Sequence, residues 1–124
     1  MREQNFGIEV ELTGITRNRA AKAVAEYFNT TAEHYGGIYD EYRVQNQTGR
    51  TWKLMSDASI RTTRGNERVD NKLYSVELVS PICKYEDIPD IQEIVRQLRH
   101  AGAVTNSSCG VHVHINAAPH TAVF

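Results

Sequence analysis

The strict alternation at residues 6–12 constrains this chain more than any other feature. Phe6, Ile8, Val10 and Leu12 take every second position, and Gly7, Glu9 and Glu11 fall between them. Side chains alternate across a strand with period two, so this segment must press one apolar face on a core and turn its glutamates away. Two later segments obey the same rule. Around Glu77, Ser75 and Glu77 lie opposite Val76 and Leu78; in Gly110–Asn116, Val111, Val113 and Ile115 lie opposite His112, His114 and Asn116.

Between these strands the pattern changes period. Ala20, Ala23, Val24, Tyr27 and Phe28 fall at helical spacing, with Thr16 as N-cap and an end before Asn29. Gly36-Gly37 precedes a hairpin whose arms are Ile38–Val44 and Arg50–Met55, turning at Asn46-Gln47-Thr48-Gly49. Arg61–Lys72 is polar, charged and aperiodic and reads as a mobile surface loop, after which Leu73–Ser80 returns to strand character. A second helix is expected over Ile88–Ala101, capped by Asp87, with Pro89 in its first turn and Gly102 as terminator. Pro119–Phe124 carries no usable pattern. The order β-α-β-β-β-α-β, without repeats, predicts an α+β domain: a largely antiparallel sheet with helices packed on one face.

Composition narrows the function classes. The chain has 124 residues, ordinary for one domain, with 40% hydrophobic and 23% charged residues. Fourteen basic against fifteen acidic residues leave a net charge of −1, which excludes a generally basic surface for nucleic acid. No apolar run approaches the ~20 residues that span a bilayer. Cys83 and Cys109 are too few for a disulfide scaffold and read as small buried residues, and the expected compartment is the cytoplasm.

If the three apolar faces share one core, Glu9, Glu11, Glu77, His112 and His114 all project from the other side of the sheet. Same-face neighbours along a strand are about 6.6–7 Å apart and adjacent strands about 4.8 Å, so these groups can converge on one patch. Glutamates alternating on a strand are ordinarily a solvated face, and His-x-His alone says little. The coincidence of ligand-type residues on three strands argues for a cation site. Carboxylates without thiolates suit magnesium or manganese, and the imidazoles leave zinc open. Lys53, between Trp52 and Leu54, points away from both and could meet a phosphate; Asp57, two residues past that strand, could orient an amine or a metal-bound water.

Phe6-Gly7-Ile8-Glu9-Val10-Glu11, Trp52 with Asp57-Ala58-Ser59-Ile60, Glu77-Leu78-Val79-Ser80-Pro81-Ile82 and Gly110-Val111-His112-Val113-His114-Ile115 occur in that order. Together, from residue 6 to about 116, they resemble the amidoligase family of phages, bacteria and fungi, carboxylate–amine ligases with a glutamine-synthetase-like fold. The resemblance implies ATP-dependent amide or peptide bond formation through an acyl phosphate, with Mg2+, or Mn2+, bridging the ATP phosphates to strand carboxylates. It implies that Glu9, Glu11, Glu77 and His112 are metal ligands. It implies that His114 contacts the nucleotide phosphates and Asp57 the substrate or its amine, while Lys53, from its position on the strand, is the candidate to meet a phosphate and assist at the reacting groups.

The family pattern continues well past Gly-x-His-x-His. The resemblance therefore also implies that residues 1–124 are the N-terminal portion of a larger catalytic domain, inactive alone, completed by further chain, a partner or self-association. Carboxylate and amine substrates, small or peptidic, are the expected partners, with no nucleic acid or membrane. Two other classes fit the same residues. One is a zinc hydrolase using His112, His114 and a glutamate; the other is a non-catalytic assembly module that keeps the sheet.

Overall fold

A computed structural model describes residues 4–116; the tail from Pro119 to Phe124 lies outside the described residues. Strand β1 (Asn5–Leu12) leads into helix α1 (Arg17–Phe28), followed by β2 (Ala32–Gly36), β3 (Glu41–Gln45) and β4 (Thr51–Met55). A small hairpin, β5 (Thr63–Arg64) and β6 (Glu67–Arg68), precedes β7 (Val76–Val79), helix α2 (Ile88–His100) and β8 (Val111–Asn116). Six strands form one sheet in the order β2-β3-β4-β7-β1-β8, and every neighbouring pair is antiparallel. Two helices pack against it, giving the expected α+β architecture.

The helix side of the sheet is the core. Val10 and Leu12 of β1, Val44 of β3, Trp52 and Leu54 of β4, and Val76 and Leu78 of β7 are buried there. Alternation demands this, since these residues share one face of their strands. Helix α1 supplies Ala20, Val24 and Phe28, and α2 supplies Ile91, Ile94 and Leu98. Thr16 caps α1 by accepting a hydrogen bond from the Arg19 amide at 3.2 Å. Asn29 closes the helix in the left-handed region at φ 56°, a conformation Asn tolerates better than most residues. Gly14 links β1 to α1 at φ +94°. A Cβ there would lie 2.7 Å from the Gly102 carbonyl, so the turn accepts only glycine.

The element list departs from the sequence reading at four places. Ala32–Gly36 is a strand, pairing with β3 and capping the sheet edge. The first hairpin arm begins at Glu41, because Gly37 to Asp40 is a turn whose Asp40 amide donates to the Gly37 carbonyl. The loop over residues 61–72 contains the β5–β6 hairpin. Strand β7 begins at Val76, not Leu73, since Lys72–Tyr74 winds into a 3-10 turn capped by the Asn71 side chain on the Leu73 amide.

At the opposite edge, β8 pairs with β1 alone among the described residues. Neither helix covers its apolar side: Val111, Val113 and Ile115 are 61%, 55% and 56% exposed. Cys83 is buried and Cys109 partly so. No helix among the described residues is long and apolar enough to cross a membrane.

Candidate metal and substrate site

The face of the sheet away from the helices carries the polar side chains of the central strands. Register fixes their neighbours. Glu11 of β1 is directly opposite Glu77 of β7, which is opposite Met55 of β4. In the next row Glu9 has Val79 on one side and His112 of β8 on the other, and Val79 in turn faces Lys53. His114 is paired with Gly7, which has no side chain to stand between that imidazole and Glu9.

Three carboxylates meet at the centre. Oxygen atoms of Glu11, Asp57 and Glu77 all lie within 4.8 Å of one another. Asp57 reaches them from beyond β4 because a compact turn holds it. Its Oδ1 accepts from the Ser59 amide at 2.9 Å and hydroxyl at 2.7 Å, and its own amide donates to Ser75 Oγ at 3.2 Å. Glu11 is held by the segment entering β8, accepting from the Gly110 amide on Oε1 at 2.8 Å. Beside this group Glu9 Oε1 lies 3.5 Å from His114 Nε2 and 3.8 Å from His112 Nδ1.

Crowding of like charge shows in the proton affinities. Burial raises Glu77 from its usual 4.5 to about 7, and the neighbouring charges of Glu9, Asp57 and Glu11 add to the rise. Burial and a hydrogen bond with Asp57 raise Glu11, against the opposing effect of the Gly110 amide. For Asp57 burial pushes upward, but the Ser59 hydroxyl and amide and the Glu11 hydrogen bond prevail, leaving it below its usual value. Within that pair Glu11 is the stronger base and Asp57 the stronger acid.

Such a donor set fits a hard divalent cation. Oxygen ligands predominate, two imidazoles flank them, and a bound cation would relieve the repulsion among the carboxylates and compete with the proton on Glu77. Glu9, Glu11, Asp57, Glu77, His112 and His114 are the side chains within reach of one or two such ions. Lys53 is set apart: it shares the Glu9 row with Val79 intervening, and forms no ion pair among the described residues.

Sequence reasoning did not single out the frame behind these groups. Arg17, 3% exposed, donates from Nη1 to the carbonyls of Lys72 and Ser75, both at 2.7 Å, and to Ser75 Oγ at 3.3 Å. Its Nη2 donates to Asp40 Oδ2 at 2.7 Å. Asp40, at φ 45°, is therefore bound to the helix that follows β1, and Ser75 passes the restraint to the Asp57 amide. A lone arginine in a first helical turn gives no sign in the sequence that it will be buried.

The sequence profile of a family described as "putative amidoligase enzyme" matches residues 2–123, nearly the whole chain. No curated protein and no solved structure matches it.

Proposed function

This chain belongs to the amidoligase family, and on that premise we propose that it contributes the cation-binding face of an ATP-dependent carboxylate–amine ligase. The observation that carries the reading is the meeting of Glu11, Asp57 and Glu77 within 4.8 Å, on a face that also holds Glu9, His112 and His114. In the proposed reaction an oxygen of the substrate carboxylate bonds to the γ-phosphorus of ATP and ADP leaves, giving an acyl phosphate. The amine nitrogen then bonds to the acyl carbon, inorganic phosphate departs with the C–O electrons, and the amine gives up a proton.

Magnesium or manganese, when bound, would neutralise phosphate charge and polarise the bond that breaks. The chain's own residues do the rest. Glu9, Glu11, Glu77 and His112 hold the cations, and His114 stands at the rim where the phosphates would approach. Lys53 offers a point charge one strand further along the same face. Asp57, the carboxylate kept ionised by its Ser59 contacts, attracts and orients the substrate ammonium.

Calorimetric titration of Mg2+–ATP into the wild type and the Glu9→Gln, Glu11→Gln double variant tests this. Binding in the wild type that falls at least ten-fold in the variant is expected. Equal heats for both proteins would leave a non-catalytic module. A second reading, a zinc hydrolase, draws on the two imidazoles beside Glu9. Zinc-dependent turnover of an amide without nucleotide would favour it.

A further inference from the structure

Next to the carboxylates the polar face opens into a pocket of about 380 Å3. Asp57 and Glu77 form part of its lining, and Lys72, Ile38, Tyr39 and Ser56 also line it. The pocket thus combines carboxylates, a cationic residue and two large side chains that are otherwise more than half exposed. Its frame is tied together by hydrogen bonds. The turn bearing Ile38 and Tyr39 is bound through Asp40 to buried Arg17, and the same guanidinium holds the Lys72 and Ser75 carbonyls. The Tyr39 carbonyl accepts from the Ser56 amide at 2.9 Å, joining that turn to the segment carrying Asp57. Among the described residues the Lys72 ammonium has no acidic partner.

Ammonia needs neither this volume nor a cation. Small-molecule pockets span about 300–1,000 Å3, so the space suits a ligand of several heavy atoms. The Asp57 carboxylate repels an anionic group and attracts an ammonium, while Lys72 does the reverse. Ile38 and Tyr39 supply apolar surface for a short carbon body. We propose that this pocket receives the amine substrate, and that the amine is a small amino acid whose own carboxylate is recognised by Lys72. The proposal rests on the ligase reading and adds the class of nucleophile: a zwitterion, in place of ammonia or an uncharged alkylamine. Asp57 then faces the ammonium that must lose its proton to the solvent before the nitrogen can attack. Lys72 fixes the other end and so selects against amines that lack an acid.

Saturation-transfer NMR on the full chain tests this with four probes: glycine, L-alanine, glycinamide and ethylamine. Glycine and L-alanine should bind about five-fold tighter or better than glycinamide and ethylamine, the scale of a partly shielded ion pair. Lys72→Glu should erase that preference and Lys72→Arg should keep it. Lys72 is solvent-exposed and its frame contact is through the backbone carbonyl, so both variants should melt like the wild type. Equal binding of glycine and glycinamide overturns the proposal, as does a preference that survives Lys72→Glu or no binding of either amino acid. Mn2+ titration of the same samples keeps the two readings apart. Loss of Mn2+ binding from the wild type would count against the ligase, while a Lys72-dependent carboxylate preference would still establish the pocket's selectivity.

Discussion

Glu11 and Glu77 stand directly opposite one another on neighbouring antiparallel strands, two acids in register where a sheet ordinarily places complementary side chains. Like charges so placed are destabilising. Burial and the neighbouring carboxylates raise the proton affinity of both, which ties stability to pH and to cations.

The sign follows from Glu77. Its folded value of about 7 exceeds its unfolded 4.5, so its contribution is fully present below about pH 4.5 and is lost as pH rises through about 7. A divalent cation should restore what is lost. The rise in Tm on adding Mg2+ or Mn2+ should therefore be larger at about pH 8 than at about pH 5, because cations compete with protons for the same oxygens. Thermal melts across pH with and without metal check this. An equal rise at both pH values would mean that the cation binds elsewhere.

Glu77→Gln removes one member of the opposed pair and keeps its shape. At neutral pH and without metal the variant should be more stable than the wild type by about 0.5–1 kcal/mol, the scale of a cross-strand pair. Its Mn2+ affinity should fall at least ten-fold. Urea denaturation and Mn2+ titration by relaxation enhancement would read both effects. A variant less stable than the wild type would show that Glu77 contributes packing that outweighs repulsion.

Arg17→Met leaves the Asp40 carboxylate without its buried partner and the Lys72 and Ser75 carbonyls without their donor. Asp40 is also held well below the usual carboxylate range, chiefly by its hydrogen bond to Arg17 and then by His34. Removing one partner of such a pair costs about 3 kcal/mol. The chemical denaturation midpoint should drop accordingly, and an unchanged midpoint would mean that Asp40 is solvated in either case.

Gly14→Ala should cost at least about 2 kcal/mol, since positive φ and a 2.7 Å approach to the Gly102 carbonyl act together. Gly65→Ala offers a control, because its φ is +60° but nothing lies within 4 Å of the added Cβ. If the two variants lose the same stability, the close approach at Gly14 contributes nothing.

Alternation made the chemistry-bearing strands legible: β1, β7 and β8 each show one apolar and one polar side, although only β1 and β7 bury the apolar side in the core, while Val111, Val113 and Ile115 of β8 stay more than half exposed. The strand Ala32–Gly36 escaped because it is an edge strand, with Glu33, His34 and Tyr35 all exposed and no apolar period to detect. The β5–β6 hairpin was foreshadowed only by Gly65-Asn66, a two-residue turn flanked by polar arms too short to show a period. Asp57 was placed at a strand end by sequence. Its arrival among the glutamates depends on the Ser59 turn and on Ser75 Oγ, a contact between residues 18 positions apart that no local pattern encodes. Arg17 was opaque for the opposite reason. Burial of a guanidinium depends on carbonyls from a 3-10 turn more than 50 residues downstream, as the 55-residue separation from Lys72 shows.

The position of β1 between β7 and the edge strand β8 has a consequence for how the molecule comes into being. Strand β1 precedes both its neighbours in the chain, β7 and β8, and Glu11 finds Gly110 at a separation of 99 residues. Closing such long loops is slow compared with forming helices and local hairpins. Until the ribosome has delivered residues 111–116, Glu9 has no histidine beside it and β1 lacks its second neighbour. The cation site is thus a late product of folding, and no shorter nascent chain can hold it complete.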